Sequence, residues 1–563
     1  MYVLGINAAF HDSSAALLSD GVPVAAAEEE RFTRIKHGKR PVPQLSYALP
    51  FHAIAYCLDE AGIGLRDVAH VAYSYEPALA RDRRPRSKAW DSGFGRWESV
   101  FLDGIESAPR MLLNDIPHHL RTLRAGIISV EELPPFTFVE HHMAHAASAY
   151  YVSGFEESAI LTLDGRGERT STMLAMGSGA KITKLSEVEF PHSLGLLYER
   201  VTSHLGFLNS SDEYKVMALA SSGGHQFDRE FEDFVTVGEE GLYVVSEESL
   251  SERFGPPRGA GEPLESRHYD LAASLQRSTE RTALSLAQTL KQKTGMTNLC
   301  MAGGVALNCV MNSRIRDDGP FENVFVQPAA GDAGTALGAA YIVDARQRGS
   351  ASSYVMEDAF LGPEFDENQV LRALERAKAT FERPADIAAA TADLLAEDRI
   401  VGWFQGRMEF GPRSLGARSL VASPRDPNMK DRLNTIKDRE EFRPVAPAVL
   451  DERAVEYFAP AAPDPFMLFV RDVLPERAEE IPAVRHDDGS ARVQTVSREH
   501  APLFHALISA FAERTGVPVV VNTSFNSLGR PIVCTPQDAL ECYFTTPLDA
   551  LAIGPFLLRK PGS

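Results

Sequence analysis

The sequence is poor in cysteine and short of positive charge. Five cysteines (Cys57, Cys300, Cys309, Cys534 and Cys542) are scattered over 563 residues without a CxxC pair. Such a set argues against a disulfide framework or a zinc ribbon and favours a reducing cytoplasm. The net charge of -20, with a pI near 5.3, argues against a broad nucleic-acid-binding surface, because phosphate neutralisation needs clustered Lys and Arg. We therefore expect no nucleic-acid partner, and any bound anion needs a local basic pocket.

Long apolar runs are also missing. No stretch of about 18 apolar residues could span a membrane, and the opening MYVLGINAAFHD lacks the basic region of a signal peptide. We expect a soluble, unexported protein with no membrane partner. The composition, 44% hydrophobic and 24% charged, is that of a globular protein, and the length predicts two or three domains.

The chain divides near residues 346–365, where RQRGSASSY interrupts the apolar periodicity. We place one α/β domain at 1–350 and a second at 356–563. The pattern predicts strands at 2–7, 14–19, 22–27, 136–140, 159–163 and 298–302, with helices at 141–151 and 272–294. In the second domain it predicts helices at 369–380 and 385–396 and strands in IVGWFQG, VPVVVNTSF and LDALAIGPFLL. The weakly periodic segment 82–124 reads as an insertion or surface subdomain of unassigned role.

Two loops at strand ends carry candidate ligand-binding residues. The small residues of GINAAFHDSS let backbone N–H groups and the side chains of His11 and Asp12 face a ligand. A surface hairpin with a capping Asp is the alternative. The strand AILTLD ends at Asp164, and Gly165 follows it, so a carboxylate that can hold a metal precedes a turn that can approach phosphates closely. A simple DG hairpin turn is the alternative here.

Two further loops contain paired glycines or an acid before a helix. Gly303 and Gly304 of MAGGVALN follow a strand and permit close approach of a nucleotide base or ribose. Asp332 of QPAAGDAG precedes the helical segment TALGAAYIV, where its carboxylate is either a ligand or an N-cap.

A pair of histidines in EHHMAHAASAYY is the metal candidate. His141 and His145 are four residues apart, so on a helix they share one face and could bind one ion, whereas His142 points elsewhere. Asp164 and Asp332 are available to complete a site of two nitrogens and two oxygens. Such a set suits iron, manganese or zinc. The alternative is a pair of helix histidines bonded to neighbouring groups. A zinc peptidase is disfavoured, because His142 stands where the HExxH motif needs its Glu.

The second domain offers the local basic pocket. GRMEFGPRSLGARS and NTIKDREEFRP concentrate Arg and Lys among glycines and prolines, a density that suits phosphate, which Arg can bind in bidentate fashion. Solvated or salt-bridged surface arginines are the alternative. VPVVVNTSFN reads as a buried strand that ends in a polar turn, where hydroxyl and amide groups can hold a small polar ligand or a ribose. The residues in question are Arg407, Arg413, Arg418, Lys437, Arg439, Arg443, Asn522, Thr523, Ser524 and Asn526.

These strings, together with EEERFTRIKH and DEYKVMALA, resemble the O-carbamoyltransferase family of antibiotic biosynthesis and nodulation-factor decoration over nearly the whole chain. The resemblance implies an actin-like N-terminal domain of the sugar kinase and heat-shock ATPase type, similar to the metal-binding tRNA threonylcarbamoyl-transferring protein. It implies a C-terminal domain similar to threonylcarbamoyl-AMP synthase. The implied activity is formation of carbamoyl-adenylate from carbamoyl phosphate and ATP, followed by carbamoyl transfer to a hydroxyl of a small natural product such as a sugar, an aminoglycoside or another antibiotic-like acceptor.

The resemblance also implies residue roles. It assigns catalysis to His11, Asp12 and Lys36, and metal ligation to His141, His145 and Asp332 with Asp164 nearby. It assigns nucleotide binding in the first domain to Asp164, Gly165, Lys215, Gly303, Gly304 and Asn308. It assigns carbamoyl phosphate and adenylate binding to Lys36, Arg413, Lys437, Arg443, Arg492, Asn522 and Ser524. The implied cofactors are ATP, Mg²⁺ and a divalent metal, Fe(II) first with Mn or Zn as alternatives. The sequence leaves open whether the protein forms a homodimer.

Three other functions remain as alternatives for this sequence. A tRNA-modifying enzyme is opposed by the charge of -20. A sugar-kinase-like phosphotransferase leaves the arginine-rich second domain unexplained. A nucleotide-binding assembly protein without chemistry gives the histidine pair and the anion pocket no common purpose.

Overall fold

The computed structural model describes residues 1–38, 49–82, 98–124, 126–238, 241–460, 462–527 and 529–560. The chain forms two compact units, Met1–Met356 and Glu357–Ser563. Each unit combines helices with sheets, which confirms the predicted α/β class. None of the helices in the described ranges is both long and apolar enough to cross a membrane.

The first unit contains two five-stranded sheets of the same topology, ordered β3-β2-β1-β4-β5 and β8-β7-β6-β11-β12. In each sheet three strands form an antiparallel meander, and two later strands run parallel to the first strand of that meander. This duplication agrees with the actin-like architecture that the resemblance implies. The strands of this unit are β1 Tyr2–Asn7, β2 Ser14–Ser19, β3 Val22–Glu28, β4 Val68–Tyr73, β5 Phe136–Phe138, β6 Glu157–Leu163, β7 Thr170–Ser178, β8 Lys181–Glu189, β9 Val235–Val237, β10 Tyr243–Val245, β11 Asn298–Ala302 and β12 Asn323–Val326.

Helices lie between and beside these strands. They are α1 Glu30–Thr33, α2 Phe51–Glu60, α3 Pro77–Arg81, α4 Glu98–Glu106, α5 Ala108–Asn114, α6 His141–Tyr150, α7 Leu194–His204, α8 Glu213–Ala220, α9 Asp228–Phe234, α10 Leu250–Phe254, α11 Ser266–Thr294, α12 Cys309–Asp318 and α13 Ala333–Arg348. The predicted strands and helices of the first domain are confirmed, with differences only at their ends. The largest difference is at α11, which begins at Ser266 rather than at residue 272.

Glycines let α13 pack closely against its neighbours. A Cβ on Gly5 of β1 would lie 1.8 Å from the carbonyl oxygen of Ala336, and a Cβ on Gly338 would lie 1.8 Å from that of Ala144. Any side chain at either position would therefore push the backbones apart. The close approach brings the start of α13 next to the start of α6.

The alternative of a surface subdomain at 82–124 is wrong for the part that the structure describes. Residues 83–97 of this segment lie outside the described ranges. Helices α4 and α5 contribute buried side chains, among them Phe101, Ile105 and Leu112, to the core that also contains β1 and β4. The apolar positions of these two short helices occupy too few turns to give a clear helical period.

The second unit is built on one seven-stranded sheet of order β19-β15-β20-β14-β13-β21-β22, with a smaller sheet of order β16-β17-β18. Its strands are β13 Val401–Phe404, β14 Arg418–Ala422, β15 Ala446–Leu450, β16 Phe458–Ala459, β17 Val470–Val473, β18 Ser490–Arg492, β19 Gln494–Val496, β20 Val519–Ser524, β21 Ala550–Ile553 and β22 Phe556–Arg559. Its helices are α14 Glu367–Arg376, α15 Ile387–Ala396, α16 Met429–Ile436, α17 Pro502–Thr515 and α18 Pro536–Thr545. The segment LDALAIGPFLL forms two strands, because a turn at Gly554 folds it into the β21–β22 hairpin.

Candidate active site

Helix α6 presents two histidines to the interior of the first unit. The side chains of His141 and His145 are fully buried, and their Nε2 atoms lie 3.1 Å apart. His142 has a different partner, because its Nδ1 lies 2.7 Å from the hydroxyl of Thr162. The four-residue spacing thus places two imidazoles on one face of the helix, as predicted.

Two carboxylates, Asp164 directly after β6 and Asp332 directly before α13, face these nitrogens. Asp332 Oδ1 lies 3.4 Å from His141 Nε2 and 3.6 Å from His145 Nε2. Asp164 lies 3.6 Å from His141 Nε2 through Oδ2 and 4.0 Å from His145 Nε2 through Oδ1. One ligand atom from each of the four residues falls within 4.8 Å of all the others. We call His141, His145, Asp164 and Asp332 the His/Asp cluster.

The structure excludes the alternative role of Asp332 as a side-chain N-cap and confirms the alternative role of Asp164 in a hairpin turn. The Asp332 side chain makes no capping hydrogen bond to α13, so this residue is not an N-cap by its carboxylate. Asp164 does stand in the hairpin connection between β6 and β7, and its Oδ1 also accepts a hydrogen bond of 2.7 Å from the N–H of Gly304. Asp164 therefore belongs both to a turn and to the cluster.

The His/Asp cluster fits a divalent cation. Both oxygens of Asp332 are buried and accept no hydrogen bond from the described residues, a costly state for a carboxylate that has no cation to bind. His141 Nδ1 lies 3.2 Å from the carbonyl oxygen of Ser74, which can only accept, so the lone pair of the neutral ring is on Nε2, inside the cluster. The pKa of His141 is raised well above its usual value, because the carboxylates of Asp332 and Asp164 outweigh the effect of burial.

Glu168, the last residue of DGRGE, supports this cluster and was missed by the sequence analysis. Its Oε1 accepts the backbone N–H of His141 at 2.9 Å and that of Glu76 at 2.7 Å. The carboxylate is buried, and burial raises its pKa to about 7. Glu168 thereby fixes the first turn of α6, which carries the two histidines.

His11 and Asp12 lie beside the cluster in the β1–β2 loop. His11 Nδ1 is 2.9 Å from Asp12 Oδ2 and 4.0 Å from Asp332 Oδ2. Burial disfavours the charged ring, but Asp332 and Asp12 outweigh it and raise the pKa of His11 to about 10. A cation in the His/Asp cluster would neutralise Asp332 and so remove the largest of the raising causes. The hairpin of the alternative is present, but the carboxylate of Asp12 contacts two imidazoles rather than capping the turn, and the loop places His11 next to the cluster.

Lys36 and His37 lie in the segment after β3, and His37 contacts the β1–β2 loop. His37 Nδ1 lies 2.8 Å from Asp12 Oδ1, and Lys36 Nζ lies 3.2 Å from the hydroxyl of Ser211 and over the ring of Tyr214. His37 stands in the string FTRIKH beside Lys36, yet no spacing rule connects it with Asp12, which is 25 residues away.

The predicted nucleotide-binding residues of the first unit are placed in two groups. Asp164, Gly165, Gly303 and Gly304 form adjoining loops, in which the positive φ of Gly303 and its approach to the Leu163 carbonyl exclude a side chain. Asn308 follows the helical turn Gly304–Leu307, caps α12 and pairs with Gln276 at 2.7 Å, so its amide already bonds within the protein. In α8, Lys215 Nζ lies 3.1 Å from Asp212.

In the second unit a lysine ammonium is buried at the end of α16. Lys437 Nζ donates to the carbonyl oxygen of Ser524, to the Ser524 hydroxyl at 2.9 Å and to Asn526 Oδ1 at 2.6 Å. Among the described residues no carboxylate lies within 4.0 Å of it. Burial and the nearby cations Arg439 and Arg443 lower the pKa of Lys437 well below its usual value.

The remaining predicted residues lie on β20, the strand that carries Ser524, or on segments next to it. Asn522 is buried on β20, where its amide nitrogen donates to the Ser414 carbonyl at 3.0 Å and to Gln494 Oε1 at 2.7 Å. Arg413 directly precedes Ser414, and Arg492 lies two residues before Gln494. The side chains of Arg413, Arg443 and Arg492 are half-buried. Arg443 Nη1 lies 3.7 Å from a carboxylate oxygen of Glu440. The structure thus joins Lys437 directly to Ser524 and places the three arginines on neighbouring segments.

Part of the arginine density has a structural cause. Arg418 is fully buried, its guanidinium donates to the carbonyls of Gln405, Gly406, Ala417 and Pro363, and it lies 3.7 Å from the centre of the Phe404 ring. The buried carboxylate of Glu409 accepts N–H groups from Leu415, Ala417 and Arg418. These contacts shape the loop between β13 and β14, so Arg418 is not an anion-binding group, contrary to its inclusion in the predicted pocket.

Comparison with known proteins covers almost the whole chain. Residues 2–341 match the family Carbamoyltransferase N-terminus, and residues 392–560 match Carbamoyltransferase C-terminus. The nodulation protein NolNO of Sinorhizobium fredii is 39% identical over 98% of this chain and 80% of its own length. The uncharacterized protein sll1178 of Synechocystis is 38% identical over 99% of this chain and 97% of its own length. The solved HypF of T. kodakarensis shares 14% identity, with a TM-score of 0.33, over 62% of this chain and 48% of its own. The chain therefore belongs to the carbamoyltransferase family and is a carbamoyltransferase enzyme.

Proposed function

We propose that this enzyme is an ATP-dependent O-carbamoyltransferase with two half-reactions, adenylation in the second unit and transfer in the first. The observation that carries the proposal is the position of His11, whose Nδ1 lies 4.0 Å from an oxygen of the His/Asp cluster. Acyl transfer to a hydroxyl needs an electrophilic centre beside a base, and this juxtaposition supplies groups for both.

Carbamoyl-adenylate formation needs positive charge on phosphate. Water cleaves carbamoyl phosphate to carbamate and inorganic phosphate. An oxygen of the carbamate then attacks the α-phosphorus of ATP, forms carbamoyl-adenylate and releases pyrophosphate. The buried ammonium of Lys437 suits this step, because a buried cation without a carboxylate partner is stabilised when a phosphate or carbamate anion binds next to it. Arg413, Arg443 and Arg492 would bind the phosphates, and Ser524 and Asn522 the carbamoyl amide. Mg²⁺ would accompany the ATP.

Carbamoyl transfer forms one C–O bond to the acceptor and breaks the bond between the carbamoyl carbon and the AMP oxygen. His11 takes the proton of the acceptor hydroxyl, and AMP leaves as the anion. A divalent metal held by the His/Asp cluster would supply Lewis-acid polarisation of the carbamoyl carbonyl. The two-nitrogen, two-oxygen ligand set accepts Fe(II), Mn(II) or Zn(II), of which we favour Fe(II) by family resemblance.

We expect the acceptor to be a hydroxylated small molecule such as a sugar or an aminoglycoside, and we place the reaction in the cytoplasm, since the five buried cysteines are all unpaired thiols. The net charge of -20 opposes a polynucleotide acceptor, and a phosphoryl transfer by the first unit alone leaves the buried Lys437 of the second unit unexplained.

The direct experiment incubates the full-length protein with carbamoyl phosphate, ATP, Mg²⁺, Fe(II) and a panel of hydroxylated metabolites. We expect pyrophosphate release that requires carbamoyl phosphate, and a product that has gained one carbamoyl group by mass spectrometry. An acceptor that gains a phosphoryl group instead would support the kinase reading and contradict the proposal.

A further inference from the structure

A continuous series of polar contacts links Lys36 to His11 in the first unit. Lys36 Nζ lies 3.2 Å from Ser211 Oγ, which lies 3.1 Å from His37 Nε2. His37 Nδ1 lies 2.8 Å from one oxygen of Asp12, and the other oxygen of Asp12 lies 2.9 Å from His11 Nδ1.

The carboxylate of Asp12, which only accepts, fixes the direction of the two hydrogen bonds that it makes with His37 and His11. A lysine ammonium only donates, so the Ser211 oxygen accepts from Lys36, and its O–H can donate to Nε2 of a neutral His37. A neutral His37 then carries its proton on Nδ1 and donates it to Asp12. The Asp12 carboxylate, whose pKa the two imidazoles hold far below its usual value against the effect of burial, only accepts. His11 must therefore donate through Nδ1, in its neutral and its charged form alike.

The backbone maintains this arrangement. Asp12 and His37 both have left-handed conformations, with φ of 52° and 65°, which cost non-glycine residues about 1 kcal/mol or more. The His37 backbone N–H is held by Glu30 Oε2 at 2.6 Å. Two strained residues thus turn their side chains toward each other across 25 positions of sequence.

We propose that His37 is a positioning residue for carbamoyl transfer: through Asp12 it keeps the proton of His11 on Nδ1, so that Nε2 is the atom at which His11 takes up the acceptor's proton. Serine proteases use an aspartate in this way to orient a catalytic imidazole, and His37 adds a second donor that orients the aspartate. The inference rests on the proposed function for its catalytic part, whereas the proton position on His11 can be tested without catalysis.

The first test is spectroscopic and uses full-length protein that is labelled with ¹⁵N-histidine and loaded with diamagnetic Zn²⁺. We expect a slowly exchanging imidazole N–H from His11 Nδ1, identified by its absence in His11→Asn. This signal should persist in His37→Asn, because Asn tolerates a positive φ and its amide can donate to Asp12, and should be lost in His37→Ala. An unchanged His11 signal in His37→Ala would overturn the proposal.

The second test measures transfer from added carbamoyl-adenylate. His37→Ala should lower kcat by about 10- to 100-fold with little change in acceptor KM and unchanged metal content, and His37→Asn should recover most of the rate. In a His11→Asn background the same His37→Ala change should alter the rate by less than about twofold, since the residue acts through His11.

Equal slowing by His37→Ala in both backgrounds would show a role independent of His11 and would overturn the proposal. The matched control is His225→Ala, which removes an exposed histidine that also pairs with an aspartate, at 2.8 Å, and should change neither the signal nor the rate. If wild-type protein transfers no carbamoyl group, the proposed function fails, and the spectroscopic test still decides the proton position.

Discussion

Asp332 Oδ2 lies 4.0 Å from His11 Nδ1, while Asp332 Oδ1 lies 3.4 Å from His141 Nε2. One buried carboxylate thus connects the candidate metal ligands with the candidate base. Its position depends on the close packing of α13 against α6, which Gly338 allows. The charge of Asp332 consequently raises the pKa values of His11 and His141.

Asp332→Asn should abolish tight metal binding without unfolding the protein. The change removes a ligand charge, but it also relieves the repulsion between Asp332 and Asp164 in the metal-free protein. Wild-type protein at a free metal concentration of 100 times its Kd gains about 2.7 kcal/mol of stability, and the variant should gain almost none. Thermal melts with and without added metal, together with elemental analysis, measure both effects. His142→Asn is the matched control, because His142 contacts Thr162 and lies outside the cluster. A variant that kept a metal-dependent melting temperature would contradict the assignment of Asp332 as a ligand.

Lys437→Met should separate stability from activity in the second unit. The variant loses a buried ammonium and the hydrogen bonds it donates to Ser524 and Asn526, two opposing effects that should leave the free energy of unfolding within about 1 kcal/mol of wild type. Pyrophosphate release should fall by at least about 100-fold, because the anion loses its buried cation. Lys378→Met, at an exposed position of the same unit, should change neither. Normal pyrophosphate release from Lys437→Met would remove this residue from the adenylation site.

His11→Asn should slow carbamoyl transfer by about 10² to 10⁴ while metal content and pyrophosphate release stay normal. Asn can still donate to Asp12 but offers no basic nitrogen at the position of Nε2. The transfer rate from added carbamoyl-adenylate is compared with the melting temperature of the same preparation. A destabilised variant that transfers at the wild-type rate per folded molecule would mean that His11 only braces the β1–β2 loop.

Much of the first unit could be predicted because its strand, turn and helix patterns depend only on residues that are close in sequence. The strands around His11 and Asp164 alternate with turns of Gly, Asp and Ser, and the pair His141 and His145 has helical spacing. That Asp332 joins this pair could be expected once two strand-end acids were available. The sequence could not show that the Asp332 side chain does not cap α13, because capping depends on the side-chain rotamer.

The missed residues are those whose roles depend on tertiary contacts. His37 meets Asp12, and Glu168 meets the N–H of His141, only after the chain has folded, and no periodicity relates these positions. Arg418 shows the converse error: a density of arginines among glycines predicted an anion pocket, yet this guanidinium donates to buried backbone carbonyls such as those of Gln405 and Pro363.

The division of labour between the two units is tested most directly with His145→Ala. The two half-reactions are measured on one preparation: pyrophosphate release from ATP and carbamoyl phosphate, and carbamoyl transfer from added carbamoyl-adenylate. Because His145 belongs to the His/Asp cluster and Lys437 to the other unit, we predict that transfer falls by at least about 100-fold and bound metal is lost, while pyrophosphate release stays within about twofold of wild type. Loss of pyrophosphate release as complete as the loss of transfer would contradict the account.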